Sequence, residues 1–100
     1  NISLKSSTWD FLQKATWQVV NHKDGTVKIA KVAGAEVHGK TGTAQNPHGE
    51  DHTWFTGYLV QDGIPVLSAA VVVEHGGKGA VEAALISHEI FRYAQENSPF

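Results

Sequence analysis

One hundred residues suffice for one domain, and 41% hydrophobic against 18% charged residues is the balance of a globular chain. A net charge of −2 with six histidines gives no electrostatic reason to expect nucleic acid or an anionic membrane surface. No apolar run approaches the roughly 18 residues of a membrane span, and the absence of cysteine excludes a disulfide framework and a thiolate metal site.

With no methionine in the chain, Asn1 is not expected to be a translation start, and no signal peptide is visible. A processed or excised piece of a longer protein is therefore the expectation. In chain order, "SSTWDFLQKATWQVVNH" predicts a helix, with Ser7 and Asp10 at capping-box spacing. Trp9, Leu12, Ala15, Thr16, Val19 and Val20 recur at helical period on one face, and Gly25 is the expected stop. Residues 26 to 36 fit a short helical turn or an irregular link equally well.

Three strands are expected next. "EVHGKTGTAQ" is polar and interrupted by glycine, which suits an edge strand beside a ligand. "HTWFTGYLV" is aromatic and β-branched, and "QDGIP" supplies turn residues after it. "VLSAAVVVE" is almost continuously apolar, the pattern of a strand covered on both faces. A glycine-rich connection, "HGGKG", then leads to a helix over about residues 80 to 96. Ala80, Ala83, Ala84, Ile86, Ser87, Ile90, Phe91, Tyr93 and Ala94 form its broad inner stripe. The predicted class is α+β, an antiparallel three-stranded meander with flanking helices.

The chemistry concentrates at "GKTGT". Alternation along a strand puts Lys40 and Gly42 on one face, Thr41 and Thr43 on the other. Lys40 supplies a positive charge, and the two hydroxyls can donate to a carboxylate. Gly42 lets a ligand or a second backbone approach, and an edge N–H such as that of Thr43 can stabilise an oxyanion. Taken alone, a K-T-G tripeptide is an ordinary solvated edge strand. His48, Glu50, Asp51 and His52 could fold around zinc, but with no helix or strand to template them a hydrogen-bonded loop is expected, and no metal. Trp9 and Trp54 are expected as core anchors, Trp17 at the margin of its helix's apolar face, and His75 and His88 as structural or solvated.

The order of "GKTGTAQ", "NPHGEDHTWF", an apolar strand ending "VVVEHGG" and a terminal helix resembles the C-terminal third of a penicillin-binding transpeptidase domain. Within class B it is most like the penicillin-binding protein 2 group, from Trp9 to about Tyr93. The resemblance implies the last three strands of a five-stranded sheet in a serine β-lactamase-like fold, with the final helix across the sheet's outer face. It implies that Lys40 maintains the active-site proton network, that Thr41 and Thr43 hold the carboxylate of a D-Ala-D-Ala stem peptide or a β-lactam, and that the Thr43 N–H is half of an oxyanion hole. Gly42 lies within this substrate-binding set. It further implies a peptidoglycan D,D-transpeptidase without a cofactor, anchored in the inner membrane by an upstream segment, with this domain in the periplasm. Partners would be the upstream part of the same protein and proteins of the cell-elongation machinery.

The chain departs from the family in one respect. None of its serines is followed three residues later by lysine, and S-x-N is absent, so the nucleophile and its base are expected upstream. These 100 residues are then inactive by themselves. Two alternatives stay open: a D,D-carboxypeptidase or β-lactamase relative, and a non-catalytic penicillin-binding-like module.

Overall fold

The computed structural model describes residues 2–25, 27–76 and 81–97. Helix α1 (Ser6–Asn21) leads through a 3-10 turn at Lys28–Ala30 to strands β1 (Glu36–Ala44), β2 (His52–Gln61) and β3 (Ile64–Val73), and helix α2 (Val81–Asn97) follows. The three strands form one antiparallel sheet in the order β1-β2-β3, the predicted meander. The ambiguous link thus contains a short helical turn, and Ala80 and residues 77 to 79 of the glycine-rich connection lie outside the described residues.

Asp62 and Gly63, with φ of 51° and 78°, make the two-residue connection between β2 and β3. Positive φ at both positions is what a tight hairpin with right-handed strand twist needs, and Asp-Gly adopts it readily. The β2–β3 register shifts at Leu59/Val60, where Val60 faces Pro65. Proline has no N–H to contribute to a ladder, so its position at this irregularity disturbs little. The β1–β2 register runs unbroken from Glu36 opposite Val60 to Ala44 opposite His52.

One face of the sheet builds the core. Val37, Phe55 and Leu59 are fully buried there against Val20, Ala30, Ala83, Ala84 and Phe91. Gly39 and Gly57 sit opposite each other in the ladder, and a Cβ at Gly39 would fall 2.2 Å from the Phe55 ring. The paired glycines therefore make room for the ring that anchors the sheet. Burial of a side chain of this size contributes about 1.5–3 kcal/mol. Ala83, Ala84 and Ser87 are the small buried residues of α2, and Ser87 Oγ returns its hydrogen to the Ala83 carbonyl at 2.8 Å.

Several local expectations are corrected by this packing. The Ser7–Asp10 capping box does not form: Lys5 is the N-cap, with no side-chain cap, and both residues lie inside the helix. Trp9 and Leu12 are 41% and 40% exposed, so Trp9 is no core anchor. The inner stripe of α2 is narrower than its apolar sequence, because Ile86, Ile90 and Tyr93 turn away from the sheet and stay exposed. A three-stranded sheet offers too little width for both halves of that stripe. The strand β3 is covered mainly on one side, not on both as expected: Leu67, Ala69, Val71 and Val73 pack toward the core, whereas Val72 is 63% exposed.

Candidate functional site at the outer edge of the lysine strand

Among the described residues β1 pairs only with β2, so its other edge is free for further contacts. Helix α1 occupies the first part of that edge. Trp17 Nε1 donates to the Glu36 carboxylate at 2.8 Å, Asn21 Nδ2 donates to the Val37 carbonyl at 2.9 Å, and the Gln13 carbonyl lies 3.0 Å from His38 Nδ1. These bonds stop at His38. The outer edge from Lys40 to Ala44 receives none of them.

The bond to Val37 also fixes which backbone groups face outward. In a strand the N–H and C=O of one residue point to the same side, and alternate residues point oppositely. The Val37 carbonyl reaches α1, away from β2, so with an unbroken register Gly39, Thr41 and Thr43 also turn their backbone groups outward. The Thr41 carbonyl fits this parity, since it accepts from Lys40 Nζ at 3.0 Å. Thr43 therefore presents its N–H at the open edge.

The side chains alternate as predicted. Thr41 and Thr43 share the core face with their partners Phe55 and Thr53, and Lys40 shares the opposite face with Thr56. Lys40 and Thr43 are exposed; Thr41 and Gly42 are half-buried. The strand thus brings a cation, two hydroxyls and an outward N–H to one short edge. That arrangement can hold an anion beside a carbonyl oxygen on which charge develops.

Gly42 is closely approached from within the chain. The half-buried indole of Trp54, its cross-strand partner, lies across it. A Cβ at Gly42 would fall 2.1 Å from Trp54 Cε2 and 2.2 Å from Cζ2. Trp54 is thereby a neighbour of the site rather than a core anchor. Its signal in the sequence was only the aromatic residue in the following strand, and the register that joins the two is not legible there.

The loop between β1 and β2 is organised by Asn46. Asn46 Oδ1 accepts from the His48 N–H at 3.1 Å, its own N–H meets Asp51 Oδ1 at 3.2 Å, and its Nδ2 lies 3.1 Å from His75 Nδ1. His75, which takes φ of 55°, donates its backbone N–H to His52 Nδ1 at 3.0 Å. His75 therefore has the structural place that was one of its two expected roles, tying the end of β3 to the loop. Among the described residues no three metal-capable side chains converge.

His38 carries no signal of its role in the sequence. It is buried beside Tyr58, whose hydroxyl lies 3.1 Å from Nδ1. A backbone carbonyl can only accept, so the Gln13 contact assigns the proton to Nδ1. Trp17, expected at the margin of its helix, is half-buried and bonded to Glu36.

Comparison with known proteins identifies the family and the fold. Residues 1–93 match the penicillin binding protein transpeptidase domain family. The chain is 32% identical over 105 residues to the peptidoglycan D,D-transpeptidase MrdA of Haemophilus influenzae, covering 89% of this chain and 16% of that protein. Its fold superimposes on Pseudomonas aeruginosa PBP2, solved in complex with WCK 5153, with a TM-score of 0.73 and 27% identity over 96% of this chain and 21% of the other. Penicillin-binding protein A from M. tuberculosis, solved as an imipenem acyl-enzyme complex, matches with a TM-score of 0.52 and 27% identity over 66% of this chain and 15% of that one. The chain spans about a sixth of the length of the curated relative it matches. This chain belongs to the penicillin-binding protein transpeptidase family.

Proposed function

We propose that this chain is the C-terminal segment of a transpeptidase domain and supplies one wall of the site of a peptidoglycan D,D-transpeptidase. The observation that supports this most is the open edge at 40–44, with the Thr43 N–H turned outward beside Lys40. Thr41 and Thr43 hydroxyls bind the terminal carboxylate of a D-Ala-D-Ala stem peptide or the carboxylate of a β-lactam. Lys40 sets the electrostatics and takes part in the proton network. The Thr43 N–H donates to the carbonyl oxygen of the scissile bond as that oxygen becomes negative.

The nucleophilic serine and its lysine lie upstream, since no S-x-x-K occurs in these residues. The serine oxygen attacks the carbonyl carbon between the two D-alanines, and the C–N bond breaks. The terminal D-alanine leaves carrying a proton, and a serine ester remains. An amine of a second stem peptide then attacks the ester, forming the cross-link and releasing the serine. In a β-lactam the broken amide stays tethered, so the ester persists. The domain works in the periplasm, held at the inner membrane by an upstream segment. None of the described helices is itself long and apolar enough to cross a membrane.

The test is incubation of the full-length protein with a labelled penicillin, followed by intact-mass analysis and peptide mapping. One adduct on a serine upstream of Asn1 is expected, and none on the isolated 100-residue chain. No adduct on the full-length protein, or an adduct on a serine of this chain, overturns the proposal.

A further inference from the structure

We infer that Trp54 is a positioning residue for the lysine strand, its indole filling the space that a side chain at Gly42 would take. The inference rests on the transpeptidase reading and extends it to a residue outside the K-T-G motif.

Three observations carry it. The φ of Gly42 is not in the left-handed region, so its backbone would accept an L side chain. The obstacle is Trp54: the three atoms nearest to a Cβ at position 42 are Cε2, Cζ2 and Nε1 of its indole, at 2.1, 2.2 and 2.5 Å. These are atoms of a rigid fused ring, not the end of a flexible chain. At Gly39, by contrast, a backbone oxygen of Thr56 also stands in the way, at 2.8 Å.

The consequences fall on the atoms proposed to act. Trp54 covers the strand on the face that Lys40 shares, directly opposite Gly42 in the ladder. With the space over Gly42 filled, the lysine side chain cannot lie along the strand in that direction. Its Nζ sits instead 3.0 Å from the outward Thr41 carbonyl, at the open edge. Thr43, whose N–H faces outward, follows Gly42 directly, so a shift of the strand at Gly42 moves that donor. Displacing a catalytic donor by about 1 Å is enough to cost up to a hundredfold in rate.

The test uses the full-length protein and separates the noncovalent affinity for a penicillin from the acylation rate constant. Trp54→Ala should lower the rate constant roughly tenfold with a smaller change in affinity, and Trp54→Phe should restore most of it. Gly42→Ala should be severely impaired in the wild-type background and recover acylation in the Trp54→Ala background, because the added methyl group then has room. Where Gly42→Ala alone does not fold, recovery of the folded state in the double variant supports the inference equally. Equal impairment by Gly42→Ala in both backgrounds overturns it, as does Trp54→Ala with wild-type acylation. A wild-type protein that takes no penicillin overturns the transpeptidase reading itself, so the two failures are distinguishable.

Discussion

His38 and Tyr58 face each other across β1 and β2, their rings stacked at 4.8 Å with the planes 30° apart. Together they join the sheet to α1. His38 Nδ1 donates toward the Gln13 carbonyl and the Tyr58 oxygen, and that oxygen lies 3.4 Å from Thr16 Oγ1, which donates to the Leu12 carbonyl at 2.7 Å. The helix is thereby seated over the first part of β1, and the part that carries Lys40 stays open. Tyr58→Phe should cost about 0.5–1.5 kcal/mol, the worth of one hydrogen bond. Denaturant unfolding of the full-length protein measures it, and an unchanged midpoint would show the chain of bonds to be dispensable.

Lys40→Ala should slow acylation of the full-length protein by a labelled penicillin far more than it perturbs folding. Losing one charge-assisted contact costs roughly 1.5–3 kcal/mol, which is about ten- to a hundredfold in rate. Wild-type acylation kinetics would remove Lys40 from the site.

On α2, Arg92 bridges Glu89 at 2.6 Å and Glu96 at 3.1 Å. The hydrogen bond and charge of Arg92 hold the Glu89 carboxyl below its ordinary value of 4.5. A carboxyl whose folded value is depressed stabilises the fold above its unfolded value. That contribution disappears as the pH falls through the folded value. The melting difference between wild type and Glu89→Gln should therefore be present at neutral pH, vanish in strong acid, and shrink with added salt, since the pair is exposed. A difference that grows with acidification would contradict the assignment.

Asn46 joins both sides of the β1–β2 loop and also reaches His75. Asn46→Ala should destabilise the loop by about 1 kcal/mol and speed proteolysis between β1 and β2. Zinc should not bind tightly there, because the loop's polar groups are turned to one another. A melting temperature that rises with zinc and falls with chelator would show the opposite.

The outer edge of β3 is unpaired among the described residues, and its large apolar residues Ile64 and Val72 are exposed. Such an edge is a template for another strand. In the full-length protein, amides of residues 66 to 74 should be strongly protected by an upstream strand, and the isolated chain should self-associate through them. Sedimentation and hydrogen exchange decide this, and a monomer with slow exchange across residues 66 to 74 would show the segment to be self-sufficient.

The three strands were legible because their signals are local. Alternation of β-branched and aromatic residues, a two-residue Asp-Gly turn and a polar glycine-rich edge each act within a few residues. The side on which Lys40 and the two threonines fall follows from strand geometry alone, so the candidate site could be read with them. The order of motifs along the chain was enough to suggest the family. Contacts between distant positions decided the rest. Gly42 meets Trp54, twelve residues on by their numbering, only because β1 and β2 pair in one register. His75 reaches Asn46 only because the end of β3 comes back beside the loop. The burial of Trp9 and of half of α2 was misread because periodicity marks an apolar face without saying whether anything covers it. Local propensity selects the elements; the register and the width of the sheet select their neighbours, and no short stretch of the chain contains that information.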